Sequence, residues 1–148
     1  MNEKRKTAMS RSKNMSRVKS KDTKPEIFLR KLLWHEGFRY RINFKDLPGK
    51  PDIFIPNHNT AIFINGCFWH VHENCKLSTI PKTNRDFWEK KLKGNVERDK
   101  KNIKKLEDMG INVLVIWGCE IKAMEKNEEV MKRKVKELIK EIINRDKK

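Results

Sequence analysis

Pro51-Asp52-Ile53-Phe54-Ile55-Pro56-Asn57-His58-Asn59-Thr60-Ala61-Ile62-Phe63-Ile64-Asn65-Gly66-Cys67 is the stretch that decides the fold. Asp52 to Ile55 and Thr60 to Asn65 are short, β-branched and aromatic runs. Pro56-Asn57-His58-Asn59 between them has turn composition, so the pair reads as two consecutive strands. Upstream, Leu47-Pro48-Gly49-Lys50-Pro51 marks another turn, and Phe38 to Phe44 is expected to form a strand before it. Further upstream, Thr23-Lys24-Pro25-Glu26 has the form of a capping box with proline in the first turn. A helix is expected to start there, bury Ile27, Phe28, Leu32 and Leu33, and stop at Gly37.

Downstream, Arg85 to Met109 carries Phe87, Trp88, Leu92, Val96, Ile103 and Leu106 on one stripe and predicts a long helix closed by Gly110. Phe87 is read as the core member of the Phe87-Trp88 pair. Ile111 to Trp117 is a nearly continuous apolar run, which fits a strand covered on both faces. Val130, Met131, Val135, Leu138, Ile139 and Ile142 predict a C-terminal amphipathic helix. The order helix, three strands, helix, strand, helix predicts an α/β fold with a central mixed sheet flanked by helices. Two segments result: a basic N-terminal arm over 1–22 and one domain over 23–148.

The arm holds eight lysines or arginines, Arg11 and Lys13 among them, against two acids, with Met15 and Val18 as apolar residues. Over 148 residues, 36 lysines and arginines outnumber 20 acids, for a formal charge of +16. That field suits a polyanion, and nucleic acid is the first candidate. No apolar run approaches the ~20 residues of a membrane span, and the N-terminus lacks a signal-peptide core, so a cytoplasmic protein is expected. Three cysteines grouped near histidines in a reducing compartment suggest metal rather than disulfides.

Cys67, His72, Cys75 and Cys119 form the pattern C-x4-H-x2-C-x43-C, a complete Cys3His set for tetrahedral Zn²⁺. If the 111–117 strand pairs near the 60–65 strand, their C-terminal ends bring Cys119 beside Cys67. His70 competes with His72 for the metal: in an extended segment the two point to the same side, so spacing leaves the choice open. Phe68, Trp69 and Trp88 offer aromatic faces beside this site. Asp52 opens a strand, a common place for a nuclease carboxylate that holds Mg²⁺.

The chain resembles the very-short-patch repair (Vsr) DNA mismatch endonucleases over roughly residues 9–122. The resemblance rests on Arg11-Ser12-Lys13-Asn14-Met15, Thr23-Lys24-Pro25-Glu26, Leu47-Pro48-Gly49-Lys50-Pro51-Asp52 and Gly66-Cys67-Phe68-Trp69-His70. Phe87-Trp88, Asn95-Val96-Glu97-Arg98-Asp99 and Trp117-Gly118-Cys119 complete it. It implies a restriction-endonuclease-like domain and a Mg²⁺-dependent nick 5′ to the thymine of a T:G mismatch, the lesion left when 5-methylcytosine deaminates. By the same resemblance, Asp52 and the Ile64 main-chain carbonyl hold Mg²⁺, and His70 is the general base or acid. Glu26 and Asp99 support them, while Cys67, His72, Cys75 and Cys119 hold structural Zn²⁺. Phe68, Trp69 and Trp88 then form a wedge entering the duplex, opposed by Met15 and Val18 on the arm, with Arg11 and Lys13 on the backbone. A monomer acting on double-stranded DNA at the nucleoid is implied, with mismatch-repair factors and a cognate cytosine-5 methyltransferase system as candidate partners. Ile64 and Asn65 stand where the best-known members have threonine and histidine. The rival readings are a restriction-type nuclease without mismatch specificity and an inactive, zinc-stapled DNA-binding module.

Overall fold

A computed structural model describes residues 23–146. The positions Arg11, Lys13, Met15 and Val18, and the arm to which they belong, lie outside the described residues. The element order is α1 (Lys24–His35), β1 (Arg41–Ile42), β2 (Ile53–Ile55), β3 (Thr60–Asn65), α2 (Arg85–Asp108), β4 (Asn112–Trp117), α3 (Gly118–Lys126) and α4 (Glu128–Asp146). Single 3-10 turns occupy Pro56–His58 and Lys76–Ser78. The four strands form one mixed sheet in the order β1-β2-β3-β4, antiparallel except for the parallel pair β3 and β4.

Alternation along the strands sends side chains to two apolar layers. Ile53, Ile55, Ile62 and Leu114 face Leu29 and Leu33 of α1 and Leu138 and Ile142 of α4. Ala61, with Phe54, Phe63 and Val113, faces Leu106 at the end of α2 and Ile111. Helices therefore cover both faces of the sheet, as the apolar run before Trp117 predicts.

Both α1 and α2 end in the same Schellman geometry. Gly37, at φ 94°, donates to Trp34 O, and Phe38 N donates to Leu33 O at 3.0 Å. Gly110, at φ 82°, donates to Glu107 O, and Ile111 N donates to Leu106 O at 3.0 Å. The residue after each glycine packs in the same apolar layer as its acceptor, Phe38 with Leu33 and Ile111 with Leu106. Thr23 caps α1 by accepting from Glu26 N at 3.5 Å, while the Glu26 carboxylate pairs with Arg30 at 3.0 Å.

Three expectations need correction. Ile27, expected on the buried face of α1, is 40% exposed, and Leu29 is buried there instead. The strand expected over Phe38 to Phe44 is only Arg41–Ile42. Phe38 belongs to the α1 cap, and Asn43 at φ 45° breaks the extended run. Gly118–Lys126, not expected as a helix, forms α3 and buries Ile121 and Met124. Among the described residues, no helix is long and apolar enough to cross a membrane.

Candidate active site and metal centre

The parallel register aligns Asn65 with Trp117, so β3 and β4 end at the same level. Ligand sites in sheets of this kind gather at the carboxyl ends of parallel strands. Here the chain leaving β3 enters the turn Gly66 to Val71, and the chain leaving β4 enters α3 directly. One potential ligand atom from each of Cys67, His72, Cys75 and Cys119 lies within 4.8 Å of the others. Cys119 Sγ is 3.4 Å from His72 Nδ1. The conditional expectation that paired strand ends bring Cys119 to Cys67 therefore holds.

The donor set fits a metal. Burial, with hydrogen bonds and charge from Cys67 and Cys75, pushes the Cys119 thiol up to about 12. The Leu77 backbone N–H is the main cause that lowers Cys75. Three sulfurs so close together ionise together only beside a cation. The His72 ring stacks on Trp117 with centroids 4.1 Å apart and planes 8° from parallel. That contact fixes the orientation of the imidazole.

Spacing left the choice between His70 and His72 open; the backbone separates them. The segment is a turn rather than extended, closed by His70 N to Gly66 O at 3.1 Å and His72 N to Cys67 O at 2.9 Å. Val71 between them sits at φ 51°, a left-handed conformation that is costly for a β-branched residue. This twist sends His72 to the cysteines and His70 to the other side. There His70 Nδ1 lies 2.5 Å from Asp99 Oδ2 on α2.

His70 and Asp99 line a cleft of about 500 Å³ together with Glu26, Asp52, Ile64 and Asn65. The loop before Asp52 closes against α2 at Gly49, where φ is 77° and an added Cβ would come within 3.0 Å of Asn102 Cβ and 3.1 Å of Phe63 Cζ. Glycine is needed for both reasons. The Asp52 main-chain oxygen accepts from Asn43 N, and its Oδ2 accepts from Ile64 N at 2.7 Å. In a strand, the N–H and C=O of one residue face the same neighbour, so the Ile64 carbonyl lies on the Asp52 side. Burial raises the Asp52 pKa from 3.8 to about 6, against the Ile64 hydrogen bond; Glu26 raises it further, and His70 and Arg30 lower it. Glu26 is 5% exposed. A divalent cation fits this arrangement, because it would offset the cost of a buried carboxylate beside a second acid.

Next to the cleft, Phe68, Trp69 and Trp88 meet edge to face, with centroids 5.1–5.8 Å apart. All three are half-buried. Phe87, read from the sequence as core, is instead 59% exposed and packs edge-on against Trp88. Neither apolar layer of the sheet includes Phe87. Sequence reasoning also passed over Lys50 and Arg98, which line the cleft, and Asn95, which is buried beneath Trp69. Helical spacing from Trp88 to Asn95 and Asp99 was the available signal for that face.

The family model of the DNA mismatch endonuclease Vsr matches residues 4–77. A type II nicking enzyme, V.NmeAIP of Neisseria meningitidis serogroup A, is 45% identical over 92% of this chain and 94% of its own length. The DNA mismatch endonuclease Vsr of Escherichia coli K12 is 38% identical over 88% of this chain and 83% of its own. The type II nicking enzyme V.XorIIP of Xanthomonas oryzae is 42% identical over 72% of this chain and 78% of its own. With a family model covering half its length and relatives matching most of it, this chain belongs to the Vsr family of DNA mismatch endonucleases.

Proposed function

We propose that the protein hydrolyses one phosphodiester bond of double-stranded DNA, 5′ to the thymine of a T:G mismatch. The observation that carries this reading is adjacency: Trp69 of the aromatic cluster and His70 of the acidic cleft are consecutive residues. An aromatic wedge unstacks a base step at a cost of a few kcal/mol, least where pairing is already faulty. A mismatch is therefore the step that the cluster opens most easily, and the neighbouring phosphate then reaches the cleft. Met15 and Val18 of the arm are assigned to the opposite groove, and Arg11 and Lys13 to the backbone. A restriction-endonuclease-like fold is supported by the mixed sheet with Asp52 at the start of β2.

Asp52 and the Ile64 carbonyl are assigned to Mg²⁺, which when bound neutralises charge on the scissile phosphate. Asp99 occupies His70 Nδ1, which leaves Nε2 for proton transfer in the cleft. In the reaction a water oxygen bonds to phosphorus, one P–O ester bond breaks, and the leaving oxygen gains a proton. Glu26 keeps Arg30 in place beside Asp52. Cys67, His72, Cys75 and Cys119 are assigned to structural Zn²⁺, the ion whose tetrahedral chemistry suits three sulfurs and one imidazole.

A library of T:G duplexes with randomised flanks, incubated with Mg²⁺, tests activity and sequence context together. Cleavage of one strand at the mismatch is expected, and Asp52→Ala should abolish it while DNA binding survives. Comparable cutting of matched and mismatched duplexes would favour the restriction-type reading. Salt-sensitive binding without any turnover would favour an inactive binding module.

A further inference from the structure

Two side chains of α2 connect the acidic cleft to the aromatic cluster. Asn95, 9% exposed, donates from Nδ2 to the Trp69 main-chain oxygen at 3.0 Å. Its Oδ1 accepts from Arg98 Nη2 at 2.9 Å. The amide is thus used at both ends, and flipping it would set donor against donor. Arg98 lines the same cleft as Asp52, His70 and Asp99, and is itself exposed. Asp99, its neighbour in sequence, is engaged by His70. Among the described residues, Arg98 makes no ion pair. A guanidinium has five N–H donors in a planar fork, of which the Asn95 bond uses one. The group that such a fork matches, in a cleft that also holds Lys50 and the carboxylates Glu26, Asp52 and Asp99, is a phosphate.

We propose that Arg98 binds a backbone phosphate and, through Asn95, positions the turn that carries both Trp69 and His70. The phosphate is taken to be DNA, so this role rests on the function proposed above. Arg98 then acts in two places at once. Its free donors seat the backbone at the cleft, and its bond to Asn95 holds the Trp69 carbonyl. Because His70 follows Trp69 directly, the same link keeps the imidazole in line with Asp99. Binding of a phosphate immobilises the guanidinium and polarises the chain of hydrogen bonds behind it, so the turn firms as the backbone seats.

The test uses full-length Arg98→Ala and Arg98→Lys proteins and two readouts that do not depend on nicking. The first is the salt dependence of binding to a fully matched duplex. The second is amide exchange at His70 and His72, whose N–H groups close the turn on Gly66 and Cys67. Arg98→Ala should lower the slope of log K against log salt by about 1. It should also speed exchange at His70 by roughly tenfold, the effect of losing a charge-assisted hydrogen bond. Arg98→Lys keeps a cation for the phosphate but not the planar fork, so it should restore the slope and leave exchange fast. An unchanged slope in Arg98→Ala, or unchanged exchange in both variants, overturns the proposal. A protein that passes both tests yet nicks no mismatch would refute the proposed reaction without touching the role of Arg98.

Discussion

Asp99 of α2 holds His70 of the β3–α2 connection through a 2.5 Å contact between Oδ2 and Nδ1. A carboxylate on one ring nitrogen fixes the tautomer and presents the other nitrogen to the cleft. Asp99→Asn keeps the shape but loses this control. Its single-turnover nicking rate should fall by about 10²–10⁴-fold, the usual contribution of general acid–base catalysis. Unaltered circular dichroism would place the loss in the chemistry rather than the fold.

Asp52 makes stability depend on pH. Its folded pKa, raised by burial to about 6, lies above the ordinary value of 3.8. A carboxyl group raised in this way favours the folded state below pH 3.8, and that advantage is lost as pH rises through 6. Asp52→Asn, which never ionises, should therefore gain on the natural protein from pH 4 to pH 7. The gain should reach about 3 kcal/mol, since each pKa unit is 1.36 kcal/mol. Urea denaturation without added Mg²⁺ measures it, and a difference that stays constant with pH would contradict the burial argument.

Val71 at φ 51° is the twist that separates the two histidines. A left-handed β-branched residue costs about 1–2 kcal/mol. Val71→Gly removes this cost but adds freedom to the unfolded chain, so a net gain of at most about 1 kcal/mol is expected. Denaturation midpoints give the answer. A clear loss of stability would mean that the Val71 side chain packs more favourably than its backbone strains.

Cys119, on the first turn of α3, gathers with Cys67, His72 and Cys75 of the turn after β3 into a cluster that could hold a metal and, if it does, braces the two elements. Cys119→Ala should lower Tm by at least about 5 °C, since each kcal/mol lost shifts Tm by about 2–4 °C at this size. Amide exchange should rise most over residues 66–78. Differential scanning calorimetry and exchange mapping check both, and a Tm unchanged in Cys119→Ala would show that the cluster braces nothing.

Much of the fold was legible where local and tertiary demands agree. The stripe from Trp88 to Leu106 and the glycines at 37 and 110 mark helices and their ends, and both glycines stand at positive φ. The cysteine spacing was legible because metal chemistry restricts the ligand types. What was hidden depended on neighbours or on single backbone angles. The alternation around Tyr40 looks like a longer strand, yet Tyr40 OH donates to Arg30 O and Phe38 is drawn into the α1 cap. Phe87 looks apolar enough for a core, but only the structure shows that it is exposed and packs against Trp88 instead. The extended reading of His70 and His72 failed on one dihedral, that of Val71. Asn95 and Arg98 carry no signal by residue type alone, since polar residues on a long helix are ordinary.

Single-turnover cleavage of two duplexes, identical except for T:G or T:A at one position, tests the central claim most directly. Each strand is end-labelled and the product mapped to the nucleotide. A nick in the thymine strand alone, immediately 5′ to that thymine, at least tenfold faster on the T:G duplex, is expected from unstacking costs of ~1–3 kcal/mol. Equal rates on the two duplexes, or cuts in both strands, would contradict it.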